Sequence, residues 1–254
     1  MIQPAASLEW LGAKGEKDGR PYVVRMRNVP LEHPLRRSYP HLLVATRSFD
    51  SPDGSGLPSD EQYASPDAYL AHRAELVATL GVGLAAGDEV LDLACGDAGL
   101  GTHLLARGLR YRGVDAEPAM VEAAAARLGG AAAVEVGELD SYVPPALVAA
   151  TTVFRAIYYA RDRPAFFARA RAFTGKKLVF DLNPRQYPVD EIVAELEAAG
   201  FTRVVMRPFL VPQTRRLPAA AVRLVVALER TPLARLALRR RFTYVVAALV
   251  PDDA

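Results

Sequence analysis

Between residues 89 and 199 the chain alternates short apolar runs, rich in β-branched residues, with longer segments of helical periodicity. Few folds accommodate that alternation. Short connections through a helix return each strand parallel to the one before it, by a right-handed crossover. The strand-like runs are "EVLDLA" (89–94), "YRGVDA" (111–116), "AAVEVG" (132–137), "ATTVFRAI" (150–157) and "KLVFDLN" (177–183). Helical periodicity covers 100–107, 118–128, 163–173 and 189–199. The pattern predicts an α/β domain with a doubly wound, mostly parallel sheet covered by helices on both faces. In such sheets ligands bind beyond the carboxyl ends of the strands, where the strand order reverses.

The flanking segments extend this frame. "SPDAYLAHRAELVATLG" (65–81) predicts a helix with Ser65 as N-cap, Pro66 in its first turn and Gly81 as its stop. "FTRVVMRPFLV" (201–211) reads as a further strand, 217–241 as one or two helices broken at Pro232, and "FTYVVAALV" (242–250) as a last strand. Upstream, "YVVRMR" (22–27) and "HLLVATRSF" (41–49) read as a strand pair, followed by a linker dense in Ser, Pro, Gly and Asp. The chain therefore divides into an N-terminal β extension, residues 1–62, and an α/β domain, residues 63–254.

Composition narrows the function classes. With 51% hydrophobic and 24% charged residues the chain is a folded globular protein, and a net charge of +2 gives no basis for nucleic-acid binding. The single cysteine, Cys95, cannot form a disulfide within the chain, and the four histidines are scattered without metal-ligand spacing. No secretion signal opens the sequence, and the longest uncharged segment, 141–154, is too short to cross a bilayer. The expectation is a soluble cytoplasmic protein with no stable membrane insertion.

The turn after the first parallel strand, "DLACGDAGLG" (92–101), occupies the ligand-binding position of such a sheet. Its glycines do not fit the phosphate-binding order G-x-G-x-x-G, since Gly96, Gly99 and Gly101 give G-x-x-G-x-G. Asp92 and Asp97 would both oppose a pyrophosphate and would suit a ligand bearing positive charge.

"VLDLACGDAG" resembles the first motif of the class I S-adenosylmethionine-dependent methyltransferases, and later segments follow in register. "YRGVDAEPAMVEAAAARL" resembles the family's second strand and helix, "VEVGELDSYVPP" its third motif, and "TTVFRAIYYARDRPAFFARARAFTGKKLVFDLNP" its fourth strand, helix and fifth strand. The resemblance covers roughly residues 65–210 and departs from the pattern at Ala94 and Ala98, where glycine is common. It implies a seven-stranded sheet with an antiparallel last strand and S-adenosyl-L-methionine as cofactor. Asp92 would act near the amino-acid end, Gly96 would admit the methionine moiety beside Ala94, and Asp115 would accept from both ribose hydroxyls. Ala116 and Met120 would flank the adenine, Glu138 would accept from its exocyclic amine beside the Leu139 backbone, and Arg155 would approach the methionine end.

Tyr158 and Tyr159 follow the fourth strand, where the family places groups facing the acceptor, and are the candidate catalytic residues. Tyr63 and Tyr69 would contribute to a lid. The implied reaction is an in-line methyl transfer to a small molecule, driven chiefly by orientation. Two other readings use the same sheet: a dinucleotide-dependent oxidoreductase, and a non-catalytic interaction protein retaining the fold. Outside the site, "DLNP" (181–184) reads as a strand-ending turn. His72 and His103 read as packing or surface residues, Cys95 as a small buried hydrophobe, and Arg239–Arg241 with Arg235 as a solvated helix end.

Overall fold

The computed structural model describes residues 10–17, 20–27, 45–46, 59–184, 186–232, 234 and 243–251. The chain forms two compact units, Met1–Leu57 and Pro58–Ala254. In the first, β1 (Trp10–Lys17) pairs antiparallel with β2 (Arg20–Arg27), which pairs antiparallel with β3 (Ala45–Thr46). The strand expected at 22–27 lies in β2, and of the one expected at 41–49 only Ala45–Thr46 falls within the described residues. β1, "WLGAKGEK", was not foreseen. It lacks β-branched residues and becomes a strand through its pairing with β2.

The second unit begins with α1 (Ser59–Gln62) and α2 (Pro66–Thr79). There follow β4 (Glu89–Leu93), α3 (Gly99–Leu105), β5 (Arg110–Asp115), α4 (Pro118–Leu128), β6 (Ala133–Val136) and β7 (Val148–Val153). The chain continues with α5 (Arg163–Phe173), β8 (Thr174–Leu182), α6 (Val189–Ala198), β9 (Arg203–Pro208), α7 (Ala219–Glu229) and β10 (Tyr244–Leu249). The strands form one seven-stranded sheet in the order β6-β5-β4-β7-β8-β10-β9. β4 pairs parallel with β5 and β7, β5 with β6 and β7 with β8, whereas β10 runs antiparallel to both β8 and β9. The expected doubly wound, mostly parallel sheet with an antiparallel last strand is thus borne out.

The boundaries that moved and those that match the expectation both have identifiable reasons. The strand expected over 150–157 stops at Val153, because Arg155 adopts a left-handed backbone with φ 57° and a 3-10 turn, Ile157–Tyr159, follows. α2 begins at Pro66, whose fixed φ and missing N–H suit the first helical position, and leads into Gly81 at φ 75°. α4 likewise opens on Pro118 and closes on left-handed Gly129. Of the helical segment 217–241, α7 occupies Ala219–Glu229, while Arg235 and Arg239–Arg241 lie outside the described residues. Among the described residues no helix is long and apolar enough to cross a membrane.

Strand parity assigns the two faces. Val90 of β4, Tyr111 of β5, Ala150 of β7, Val179 of β8 and Val245 and Ala247 of β10 join the core under α2, α3 and α4, with Leu76, Val77, Leu104, Ala124 and Leu128. The alternate residues face the other way. There Phe180 of β8 meets Phe167 of α5 at 5.6 Å between ring centroids, and Phe166 and Phe167 are themselves adjacent. Both layers are buried, and each fully covered Leu or Phe contributes roughly 1.5–3 kcal/mol.

A buried lysine lies inside this packing. Lys177 on β8 is fully buried and its Nζ donates to Leu80 O at 3.0 Å and Val82 O at 2.6 Å, closing the C-terminal end of α2. Burial pushes its pKa down to about 7, helped by neighbouring Lys176 and opposed by Asp88. From pH 7 to about 10 the unfolded chain keeps a proton that the folded protein has released, so stability rises with pH across that window. Denaturant unfolding at pH 7 and pH 9.5 should show a rise of up to about 1.4 kcal/mol per pH unit, flattened in Lys177→Met. Equal slopes in the two proteins would contradict the assignment.

Candidate functional site

The sheet order reverses between β4, which leads outward through β5 and β6, and β7, which leads outward through β8. At that crevice the β4–α3 turn is held in an unusual backbone: Ala94, Gly96 and Ala98 have φ of 58°, 55° and 54°. For the two alanines this left-handed conformation costs roughly 1–2 kcal/mol each. The glycines divide into two roles. A Cβ on Gly96 would meet nothing within 4 Å, whereas one on Gly101 would fall 2.7 Å from the Tyr111 ring, so Gly101 serves close helix packing. Gly99 is likewise filled in by Ser59 and Leu70. Only Gly96 leaves the turn open.

Asp97 corrects one sequence-based expectation. Its carboxylate does not face a ligand, but is buried and accepts from Ser59 N at 2.8 Å, from Ser59 Oγ, from Gly99 N at 3.2 Å and from Arg127 at 2.6 Å. The charge is matched from inside the protein, and the first donor of α3 is occupied by it.

Asp115 closes β5 beside this turn. Its Oδ2 accepts from Gly96 N at 2.8 Å and its Oδ1 from Glu117 N at 3.0 Å, which leaves a further lone pair on each oxygen. The N-cap of α4 is Glu117. Ala116 is exposed beside it and Met120 is buried in the first turn of α4. Glu138 is exposed after β6, where its carbonyl accepts from Ser141 N and Tyr142 N, and the carbonyl of Leu139 accepts from Arg169 at 2.8 Å. Asp115, Ala116, Met120, Glu138 and Leu139 thus follow the carboxyl ends of the two neighbouring strands β5 and β6.

Asp92 lies deeper than its expected role requires. It sits under the helices, accepting from Tyr111 Oη at 2.8 Å and Thr152 Oγ1 at 2.7 Å, across β5 and β7. Burial raises its pKa to about 6, with the two hydroxyl donors and Arg73 opposing the rise. It ties β4 to both of its neighbours, β5 and β7.

On the β7 and β8 side, Arg155 is held by its backbone: its N–H donates to Asp181 Oδ1 at 2.6 Å, supporting the left-handed turn. Asp181 Oδ2 lies 3.8 Å from Arg73 of α2. The Arg73 guanidinium packs 4.2 Å from the Phe154 ring centre and 4.8 Å from that of Tyr69, to whose hydroxyl it donates at 3.0 Å. Tyr63 and Tyr69, expected in a lid, are buried and stacked with ring centres 4.3 Å apart. Tyr158 is half-buried and Tyr159 is 45% exposed, their rings 4.4 Å apart.

No protein-family profile and no curated protein sequence matches the chain. Solved structures do. A chain in the complex between the Haloferax volcanii Trm112 methyltransferase activator and its methyltransferase superposes with a TM-score of 0.53 at 19% identity, covering 74% of this chain and 92% of that one. The TehB-like S-adenosylmethionine-dependent methyltransferase of Corynebacterium glutamicum gives 0.51 at 14% identity, covering 72% and 88%. Magnesium protoporphyrin IX methyltransferase of Synechocystis, solved with bound S-adenosylmethionine, gives 0.51 at 13% identity, covering 78% and 87%.

The fold is that of the class I S-adenosylmethionine-dependent methyltransferases. Within this methyltransferase fold, sequence reasoning missed Arg73, Asp181 and Asp97's inward role. A signal for Arg73 was present: it falls four residues after Tyr69 and three before Leu76, inside the apolar stripe of α2. His72 sits in the same stripe, and its Nε2 pairs with buried Glu229 of α7 at 2.6 Å. Cys95 packs beside Gly113, with burial raising its thiol pKa. His103, partly exposed on α3, lies 3.9 Å from Asp67.

The turn's strain has a measurable consequence. Replacing Ala94 by glycine removes the left-handed penalty while adding the entropy of a glycine to the unfolded chain. Ala94→Gly should therefore gain about 0.5–1 kcal/mol in denaturant unfolding. A loss of stability would show that the Ala94 methyl contributes more packing than its backbone costs.

Proposed function

We propose that this protein transfers a methyl group from S-adenosylmethionine to a small-molecule acceptor. The observation that carries the reading is the meeting of Asp115 with Gly96. A carboxylate with free lone pairs at the tip of β5 suits vicinal ribose hydroxyls, and the open Cβ side of Gly96 admits a ligand against the backbone. Bound S-adenosylmethionine would supply an electrophilic methyl group on a cationic sulfur.

The chain's own residues then divide the work. Asp115 orients the ribose, Ala116 and Met120 flank the adenine, and Glu138 with the Leu139 backbone meets its polar edge. Gly96 and Ala94 border the methionine moiety. Asp92 acts as a positioning residue, through Tyr111 and Thr152, rather than by touching the cofactor. Tyr158 and Tyr159 face the acceptor. Burial raises the Tyr158 pKa, so it stays protonated and orients the acceptor as a hydrogen-bond donor. Alignment of acceptor and methyl group supplies most of the acceleration, roughly 7–11 kcal/mol where geometry is near attack.

A dinucleotide lacks its seat here. The α3 N-terminus that would take a pyrophosphate already receives Asp97, whose negative charge would repel a phosphate.

Calorimetric titration with S-adenosylhomocysteine should show saturable binding to the wild-type chain, weakened ~10-fold or more in Asp115→Asn. Folded wild-type protein that gives no heat at millimolar ligand would overturn the reading.

A further inference from the structure

Beyond β7, the charge of Arg155 is not met by the acids around it, whereas Arg161 and Arg163 are paired. Arg155 Nη1 is buried and has no hydrogen-bond partner among the described residues. The nearby acid, Asp181, is already engaged, its Oδ1 by the Arg155 backbone N–H and its Oδ2 by Arg73. Among the described residues no carboxylate lies within 4.0 Å of the Arg155 guanidinium. A buried ionised donor without a partner is costly, and such groups are normally paired or meet a ligand.

Apart from the engaged Asp181, the polar groups around Arg155 are phenols, and the Tyr63 oxygen accepts from its guanidinium while the Tyr63 O–H stays free to donate. The phenols of Tyr63, Tyr158 and Tyr69 are its electrostatic neighbours, and burial keeps Tyr69 and Tyr158 protonated. A guanidinium flanked by phenolic hydroxyls is a receptor for planar or tetrahedral anions. Arg73 has a different part. It is covered by the rings of Tyr69, Phe154 and Phe209, so it adds positive field without offering a face to a ligand.

Position decides what the anion belongs to. Asp115 and Gly96 place the proposed cofactor over β4 and β5, toward β6. Arg155 follows β7, beside the Asp181 end of β8, on the opposite side of the crevice. We infer that the acceptor carries a carboxylate or phosphate, and that Arg155 Nη1, with the hydroxyls of Tyr63 and Tyr158, binds this group and orients the acceptor toward the methyl donor. The inference rests on the methyl-transfer reading and moves Arg155 from the cofactor's methionine end to the acceptor.

The test titrates protein saturated with S-adenosylhomocysteine by calorimetry with benzoate and, separately, inorganic phosphate. At least one anion should bind the wild type, and Arg155→Met should weaken it ~10-fold or more, with Arg155→Lys intermediate. Methionine and arginine share the same backbone penalty at this φ, so the substitution adds no strain. Tyr63→Phe keeps the stacked ring and should weaken the same anion by a few-fold. Failure of both anions to bind the wild type, or equal binding to Arg155→Met, overturns the inference.

A second arm compares S-adenosylhomocysteine with 5′-methylthioadenosine, which lacks the carboxylate. Both should bind Arg155→Met as they bind the wild type. Loss of the first alone assigns Arg155 to the cofactor's carboxylate and overturns the inference. The anion titrations are repeated without S-adenosylhomocysteine. Arg155-dependent anion binding in a wild-type chain that gives no heat with S-adenosylhomocysteine overturns the methyl-transfer reading, and the acceptor assignment with it, leaving an anion site.

Discussion

The buried carboxylate of Asp97 fixes the geometry on which the crevice depends. Moving an ion of this size out of water costs several kcal/mol even after relaxation. Here Arg127 of α4, both donors of Ser59 and the Gly99 N–H offset that cost together. One side chain therefore joins α1, α3 and α4 at the mouth of the sheet. It also fills the anion-binding end of α3 with the protein's own charge. The preceding Gly96 N–H turns away from that end toward Asp115. What is left facing the crevice is a carboxylate and an uncovered stretch of backbone, which favours a ligand with hydroxyls and positive charge over one with phosphates.

Much of this was legible in the sequence, and the boundary of legibility has a physical cause. The alternating sheet and helices follow from local periodicity, whereas Asp115 was singled out by the resemblance of its strand and helix to the methyltransferase second motif. The inward role of Asp97 was not legible, because its partners Ser59 and Arg127 lie 38 and 30 residues away. The same acid, read locally, looked as though it faced the ligand. In the proposed reading a pyrophosphate is disfavoured for a different reason, because Asp97 occupies the N-terminal end of α3. Gly99 and Gly101 were similarly ambiguous, since packing against Ser59 and Tyr111 calls for the same residue as ligand approach.

The non-glycine residues with positive φ among the described residues are Ala94, Ala98 and Arg155, and all three follow β4 or β7, the strands at the reversal of sheet order. At roughly 1–2 kcal/mol each, their summed strain is an appreciable part of the about 5–15 kcal/mol by which a typical domain is stable. Such strain persists where surrounding contacts over-determine the backbone. Those contacts are present on both strands: Asp92 ties β4 to β5 and β7, and Asp181 of β8 holds the Arg155 N–H. Asp181 also couples that turn to Arg73 and hence to the aromatic packing of α2. The left-handed turn at Arg155 is thus maintained from the core outward. The proposed acceptor site is preorganised by the same contacts that make the domain stable, and its free guanidinium nitrogen is a product of that arrangement rather than of a flexible surface side chain.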